Sequence, residues 1–187
     1  LPDLATLGGP QIGQLAMLSF GQGALTVTPL QITAMMNAVA DGGILRAPRV
    51  VRGIVDSETG QCVEPFVAAE DSAACSPDIA RVLRSMLIDV VEEGIGREAK
   101  PASGGAGGKT GTAQTGQFDA AGVERLNYWF SGFWPAEDPA YTITVLQDAT
   151  LEPETSSAAI FARVADALCA FDGKFTRETT MATPETS

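Results

Sequence analysis

The hydrophobic patterning of this chain predicts an α+β fold, an antiparallel sheet flanked by helices, and three observations carry that reading. Apolar residues recur at helical spacing behind cap-and-proline signals at Thr28-Pro29 and Ser76-Pro77. Two later stretches are rich in β-branched and aromatic residues, and one of them alternates so that one face is cleanly apolar. The resulting order is helix, hairpin, helix, three strands, helix, which builds a small antiparallel sheet covered by helices.

Taken in order, the first 25 residues are glycine-rich and read as irregular, closing in Ser19-Phe20-Gly21-Gln22-Gly23. Thr28 then caps a helix, Pro29 suits its first position and Gln31 completes a capping box. Ile32, Met35, Met36 and Val39 form its apolar stripe, the two methionines reading as core filler, and Asp41-Gly42-Gly43 ends it. Residues 44–56 read as extended, with a turn at Asp56–Gly60 and a second short strand over Gln61–Val67. Behind Ser76, the residues Ile79, Val82, Leu83, Met86, Leu87, Val90 and Val91 stripe a helix ending near Glu93-Gly94. Glu92 and Glu93 oppose the helix dipole there and read as a solvated pair.

A loop at 101–108 leads into Lys109-Thr110-Gly111-Thr112-Ala113. Asn127–Trp134 and Tyr141–Gln147 follow as strands, and Tyr141, Ile143 and Val145 give the second one an apolar face. Trp129, Phe130, Phe133 and Trp134 read as strand packing. Thr155 or Ser156 caps a last helix carrying Ile160, Phe161, Val164 and Leu168.

Composition narrows the chemistry. The chain has 187 residues, enough for one domain with a core, and 12 Lys and Arg against 23 Asp and Glu leave a net charge of −11. That balance argues against nucleic acid or an anionic membrane as partner, since both select a cationic surface. There is no His, which removes Ser-His-Asp and Cys-His catalysis and the usual zinc sites. Cys62, Cys75 and Cys169 are a poor metal set; one disulfide in an exported protein, or three buried thiols otherwise, are both open readings.

The candidate site is Lys109-Thr110-Gly111-Thr112. Alone, the tripeptide Lys-Thr-Gly also fits a strand leaving a glycine loop with its lysine solvated. Its parts nevertheless suit an anionic, acyl-bearing ligand: an ammonium, a bare glycine backbone, hydroxyls for a carboxylate and a backbone N–H for an oxyanion.

Here the pattern resembles a known family. KTG is one of three signature boxes of penicillin-binding proteins and serine β-lactamases, beside S-x-x-K and an S-D-N-like box. In class B penicillin-binding proteins a helix ending V-V-x-x-G precedes KTGTA, and a strand like W-F-x-G-F-x-P follows. This chain has Val90-Val91-Glu92-Glu93-Gly94 before the box and Trp129-Phe130-Ser131-Gly132-Phe133-Trp134-Pro135 after it. The family's G-Q-G segment, T-P-L-Q and closing N-G-G are matched by Gly21-Gln22-Gly23, Thr28–Gln31 and Asp41-Gly42-Gly43.

The resemblance implies the penicillin-binding/serine β-lactamase-like fold and a peptidoglycan DD-transpeptidase acting through a serine acyl-enzyme. Residues 1–171 would be the C-terminal portion of its transpeptidase domain and residues 172–187 a polar, disordered tail. Lys109 would set the electrostatics of acylation and assist proton movement. Thr110 and Thr112 would bind the terminal carboxylate of a D-Ala-D-Ala stem peptide or a β-lactam. The Thr112 N–H would form half of an oxyanion hole, and Gly111 would let substrate approach. No cofactor is implied. The expected place is the extracytoplasmic face of a bacterial membrane, with an anchor upstream. No Ser is followed by Lys three residues on, and no Ser-x-Asn or Tyr-x-Asn is present. In the family both boxes precede G-Q-G, so the expectation is a fragment, inactive alone. A β-lactam sensor domain and a non-catalytic interaction module are the alternatives. An exported parent would favour a Cys62–Cys75 disulfide. A sheet missing two family strands would expose the strand 141–147 and favour a homodimer through it.

Overall fold

A computed structural model of the chain describes residues 12–23, 25–51, 53–66 and 69–175. The opening segment is not irregular throughout: Ile12–Ser19 forms helix α1. Its residues carry no cap signal and no polar face, so nothing in the local pattern announces it.

Helix α2 (Pro29–Ala40) opens on the expected capping box. The Gln31 N–H donates to Thr28 Oγ1 at 3.2 Å, and the Thr28 N–H donates to Gln31 Oε1 at 2.8 Å. Such a cap contributes about 1 kcal/mol. Glycine is obligatory beyond the helix end: Gly43 has φ +95°, and a Cβ there would stand 2.3 Å from the Cys75 carbonyl oxygen.

The extended segment resolves into short pieces. Strand β1 (Ile44–Leu45) pairs with β4 (Ser72–Ala73), and β2 (Gly53–Val55) pairs with β3 (Cys62–Pro65), both antiparallel. The β2–β3 hairpin is shorter than its β-branched content implies. Ile54, Val55, Val63 and Phe66 are exposed, so no core extends the pairing. Helix α3 (Pro77–Glu92) starts at Ser76, whose hydroxyl accepts the Ile79 N–H at 3.4 Å. Its stripe is only partly used: Val91 is buried and Leu87 packs inward, whereas Ile79, Val82, Leu83 and Met86 are exposed. Glu92 pairs with Lys100.

Strands β5 (Gly107–Phe118), β6 (Glu124–Trp134) and β7 (Tyr141–Ala149) form one antiparallel sheet in the order β5-β6-β7. Helix α4 (Ser157–Phe175) begins behind Ser156, whose hydroxyl accepts the Ala159 N–H at 3.1 Å. It runs four residues past the expected tail boundary at Phe171; residues 176–187 lie outside the described residues.

The central strand β6 is buried from Phe130 to Trp134 because both of its faces are covered. On one face Phe130 and Trp134 join Phe161 and Ala165 of α4, with Ile143 and Val145 packed alongside; the Phe130 and Phe161 ring centroids are 4.9 Å apart. On the other, Phe133 meets Met36 and Ala40 of α2, with Leu87 and Ile88 of α3. Fully burying each such ring contributes about 2–3 kcal/mol. Two polar links seat α2 as well: Thr33 Oγ1 lies 2.7 Å from Thr144 Oγ1, and Thr142 Oγ1 donates to Asn37 Oδ1 at 3.2 Å. Thr33 and Asn37 are one turn apart, and Thr142 and Thr144 two strand residues apart, so the two periods bring both pairs into contact.

Two further expectations need correction. Met35 is exposed while Met36 is core, since adjacent helix positions differ by about 100° in direction. All three thiols are free, and Cys62 and Cys75 are not joined. Cys62 belongs to the outlying β2–β3 hairpin, whereas Cys75 follows β4 against Gly43, so the strand pairings separate them. Among the described residues no helix is long and apolar enough to cross a membrane.

Candidate functional site

Lys109, Thr110, Gly111 and Thr112 lie together on β5, which among the described residues is a sheet-edge strand bonded to β6 alone. The free edge borders a cleft of about 620 Å³, walled across from β5 by the segment joining α1 to α2 and by Ile32, Met35 and Met36 of α2.

Two side chains show which backbone groups face that cleft. Lys109 Nζ donates to the Thr110 carbonyl at 2.8 Å, and Gln22 Nε2 donates to the Thr112 carbonyl at 3.4 Å. A strand residue directs its N–H and C=O to the same side. The Thr110 and Thr112 N–H groups therefore point out of the sheet towards the cleft, while Lys109, Gly111 and Ala113 spend theirs on β6. The site residues also divide by face. Lys109 and Gly111 stand in register with Ser131 and Trp129 on the α2 face, and Thr110 and Thr112 with Phe130 and Tyr128 on the α4 face.

The glycines of β5 differ in kind. A Cβ at Gly107 would stand 2.3 Å from Phe133 Cζ, and one at Gly108 would stand 2.5 Å from Phe130 Cζ, so packing demands both glycines. A Cβ at Gly111 would meet nothing closer than Trp129 Cβ at 3.6 Å, an ordinary contact. Packing does not ask for glycine there.

Lys109 is the only cation among the described lining residues. The lining carboxylate, Asp148, is 3.1 Å from Arg125 Nε, and hydrogen bonding to Asp148 raises the Arg125 guanidinium above its ordinary value. With Asp148 paired, Lys109 sets the sign of the cleft, which suits an anionic ligand. Its ammonium is exposed and, among the described residues, hydrogen-bonds to Thr110 alone, with Thr110 Oγ1 at 3.4 Å beside the carbonyl.

The strand is launched by a loop that α4 holds. Asp166 accepts the backbone N–H of Ala102 at 3.1 Å and of Ser103 at 2.8 Å. The four residues of the box share one strand; sequence reasoning assigned no role to Gln22, Ser131 or Asp166. The one available signal was a lone hydroxyl, Ser131, within an aromatic run; Asp166 lies 63 residues from Ser103, and no local pattern links them.

Comparison with known proteins follows the same lines. Residues 8–166 match the model of the penicillin binding protein transpeptidase domain. The stage V sporulation protein D of Bacillus subtilis is 35% identical over 134 residues, which are 71% of this chain and 20% of that protein. The crystal structure of penicillin binding protein 3 of Mycobacterium tuberculosis complexed with ampicillin superposes with a TM-score of 0.71 at 30% identity, covering 88% of this chain and 40% of that one. Penicillin-binding protein A of Mycobacterium tuberculosis, in an imipenem acyl-enzyme complex, superposes with a TM-score of 0.71 at 25% identity, covering 85% and 35%. The chain thus spans less than half the length of each of these relatives.

Proposed function

We propose that this chain, which belongs to the penicillin-binding protein transpeptidase family, supplies the strand side of the acyl-transfer site of a peptidoglycan DD-transpeptidase. The observation that carries this reading is the open edge of β5, where the Thr112 N–H and Lys109, the one cation among the described lining residues, face the same cleft. A stem peptide ending in D-Ala-D-Ala, or a β-lactam, lies along that edge. Its terminal carboxylate meets the Thr110 and Thr112 hydroxyls under the field of Lys109, and Gly111 leaves room for the ligand backbone. The carbonyl to be attacked points at the Thr112 N–H, which stabilises the oxyanion as the tetrahedral intermediate forms. Related proteins solved with ampicillin and as an imipenem acyl-enzyme support this class of ligand.

The nucleophile is a serine outside these 187 residues, because none of their serines precedes a lysine by three. That serine adds to the acyl carbon; with a stem peptide it expels D-alanine and passes the acyl group to an acceptor amine, whereas an opened lactam stays on the serine as the acyl-enzyme. Its own N–H completes the oxyanion hole. This reading puts the parent protein on the extracytoplasmic face of a bacterial membrane, where its substrate lies, held by an upstream anchor. By itself the chain is inactive and pairs with a second copy through residues 141–147.

Benzylpenicillin and intact-mass measurement test the proposal. The full-length parent gains one adduct and this chain alone gains none. Lys109→Ala in the parent slows acylation roughly 10²-fold, the scale for losing an electrostatic stabiliser. A stoichiometric adduct on the isolated chain, or a Lys109→Ala rate within about threefold of the parent's, overturns it.

A further inference from the structure

We propose that Gln22 is a specificity-determining residue, a latch on the edge of β5 that a ligand must displace to offer an amide N–H to the Thr112 carbonyl; this rests on the transpeptidase reading of the site. Gln22 reaches across the cleft from the wall facing β5, and its Nε2 donates to the Thr112 carbonyl at 3.4 Å. Its backbone is set by the way α1 ends. The Gln22 N–H donates to the Met17 carbonyl at 2.9 Å and the Gly21 N–H to the Leu18 carbonyl at 3.1 Å, with Gly21 at φ +77°. That pair of bonds around a left-handed glycine is the Schellman helix end. A helix terminus, not a free loop, thus carries the side chain to the cleft.

Thr112 turns its N–H and its C=O to the same side of the strand. A ligand laid along this edge as an added strand exchanges both bonds with Thr112. Its carbonyl takes the Thr112 N–H, and the N–H of the same ligand residue goes to the Thr112 C=O. The acyl carbonyl under attack therefore brings its neighbouring amide to the atom that Gln22 holds. Benzylpenicillin has the same relation, since its exocyclic amide and its lactam carbonyl flank one carbon. The Thr110 carbonyl is held by Lys109 Nζ at 2.8 Å, so both outward carbonyls of the box are engaged by side chains. A paired backbone runs about 4.8 Å from its neighbour, and none fits between the Thr112 oxygen and a nitrogen 3.4 Å away. Gln22 must let go. The incoming N–H replaces one neutral hydrogen bond with another, so part of its binding free energy is spent on the exchange. A ligand with no amide at that carbon leaves Gln22 where it stands.

The sign of the effect and its dependence on the ligand supply the test. Pre-steady-state acylation of the full-length parent separates the binding constant from the acylation rate constant. Two lactams are compared: benzylpenicillin, and penicillanic acid, the same bicycle with hydrogen in place of the acylamino group. Gln22→Ala tightens the binding of benzylpenicillin about threefold, the scale of one exposed neutral hydrogen bond. Gln22→Met, which keeps the length of the side chain and loses the donor, does the same. The second-order acylation constant of penicillanic acid is unchanged in both variants. Benzylpenicillin binding that is unchanged or weaker in either variant overturns the latch and leaves the transpeptidase reading standing. An equal gain for the two lactams also overturns it, because a merely widened cleft would not distinguish them. A parent that benzylpenicillin does not acylate at all overturns the transpeptidase reading, and the latch with it.

Discussion

The Asp166 carboxylate of α4 accepts the Ser103 backbone N–H at 2.8 Å and so fastens the last helix to the loop that launches β5. The Ala102 N–H joins at 3.1 Å, giving two backbone donors on one carboxylate. The strand that carries Lys109 is thereby registered at its start by a residue that never enters the cleft.

Hydrogen bonding from the Ser103 side chain, against a smaller opposing effect of desolvation and with help from the Ser103 and Ala102 backbone, holds the Asp166 carboxyl below its ordinary value. A carboxyl depressed by folding stabilises the native state above its unfolded pKa of about 3.9, and that contribution disappears as the pH falls through the lower folded value. Asp166→Ala should cost about 1 kcal/mol at pH 7, the low end for a charged hydrogen bond because the group is partly solvated. It should also remove part of the acid sensitivity, so that variant and parent converge as the pH falls through the lower folded value. Urea unfolding at several pH values measures both effects. A stability gap that stays constant down to pH 2 contradicts the assignment.

Gly108 and Gly111 separate folding from function on one strand. Gly108→Ala drives a Cβ to 2.5 Å from Phe130 Cζ and 2.8 Å from the Ser131 carbonyl, and backbone cannot move aside cheaply. It should destabilise by about 1–3 kcal/mol or more, the range for overpacking a core. Gly111→Ala meets only Trp129 Cβ at 3.6 Å and should fold with a melting temperature close to the parent's. Its methyl stands at the strand edge, so acylation by penicillin should fall about tenfold or more. Melting curves and acylation rates on the two variants check this; equal losses of stability would show that Gly111 serves packing after all.

Local signals account for much of what was legible. The α2 capping box, the Ser76 cap, the apolar face of β7 and the lysine–threonine–glycine box each depend on residues within a few positions of one another. What escaped depends on distance or on brevity. Strand β4 is two residues, Ser72 and Ala73, too short to show a period. The apolar stripe of α3 is a true helical signal, yet Ile79, Val82 and Met86 remain exposed, because periodicity reports a face and not what covers it. The Ser131–Thr144–Thr33 chain joins three elements through single hydroxyls that look unremarkable in each. The Cys62–Cys75 pairing failed for the same reason in reverse: nearness in sequence did not become nearness in the fold, since each thiol went to a different strand pair.

The outer side of β7 bears on how the chain behaves alone. The sheet order β5-β6-β7 gives β7 a strand neighbour on one side only among the described residues. An open strand is a template for another chain unless charge, proline or a bulge blunts it. The segment Tyr141-Thr142-Ile143-Thr144-Val145-Leu146-Gln147 contains no lysine and no proline, and its pairing with β6 runs in register from Trp134 to Leu126 without a bulge. Leu30 and Met35 of α2 and the outward residues of α3 add exposed apolar surface. Two copies related by a two-fold axis can lay like strands antiparallel and satisfy both edges at once. The isolated chain should therefore be a dimer at micromolar concentration, with the Thr142 and Thr144 amides protected from exchange, and Thr144→Pro should return it to monomer. Light scattering that shows a monomer with those amides exchanging freely would exclude pairing through β7.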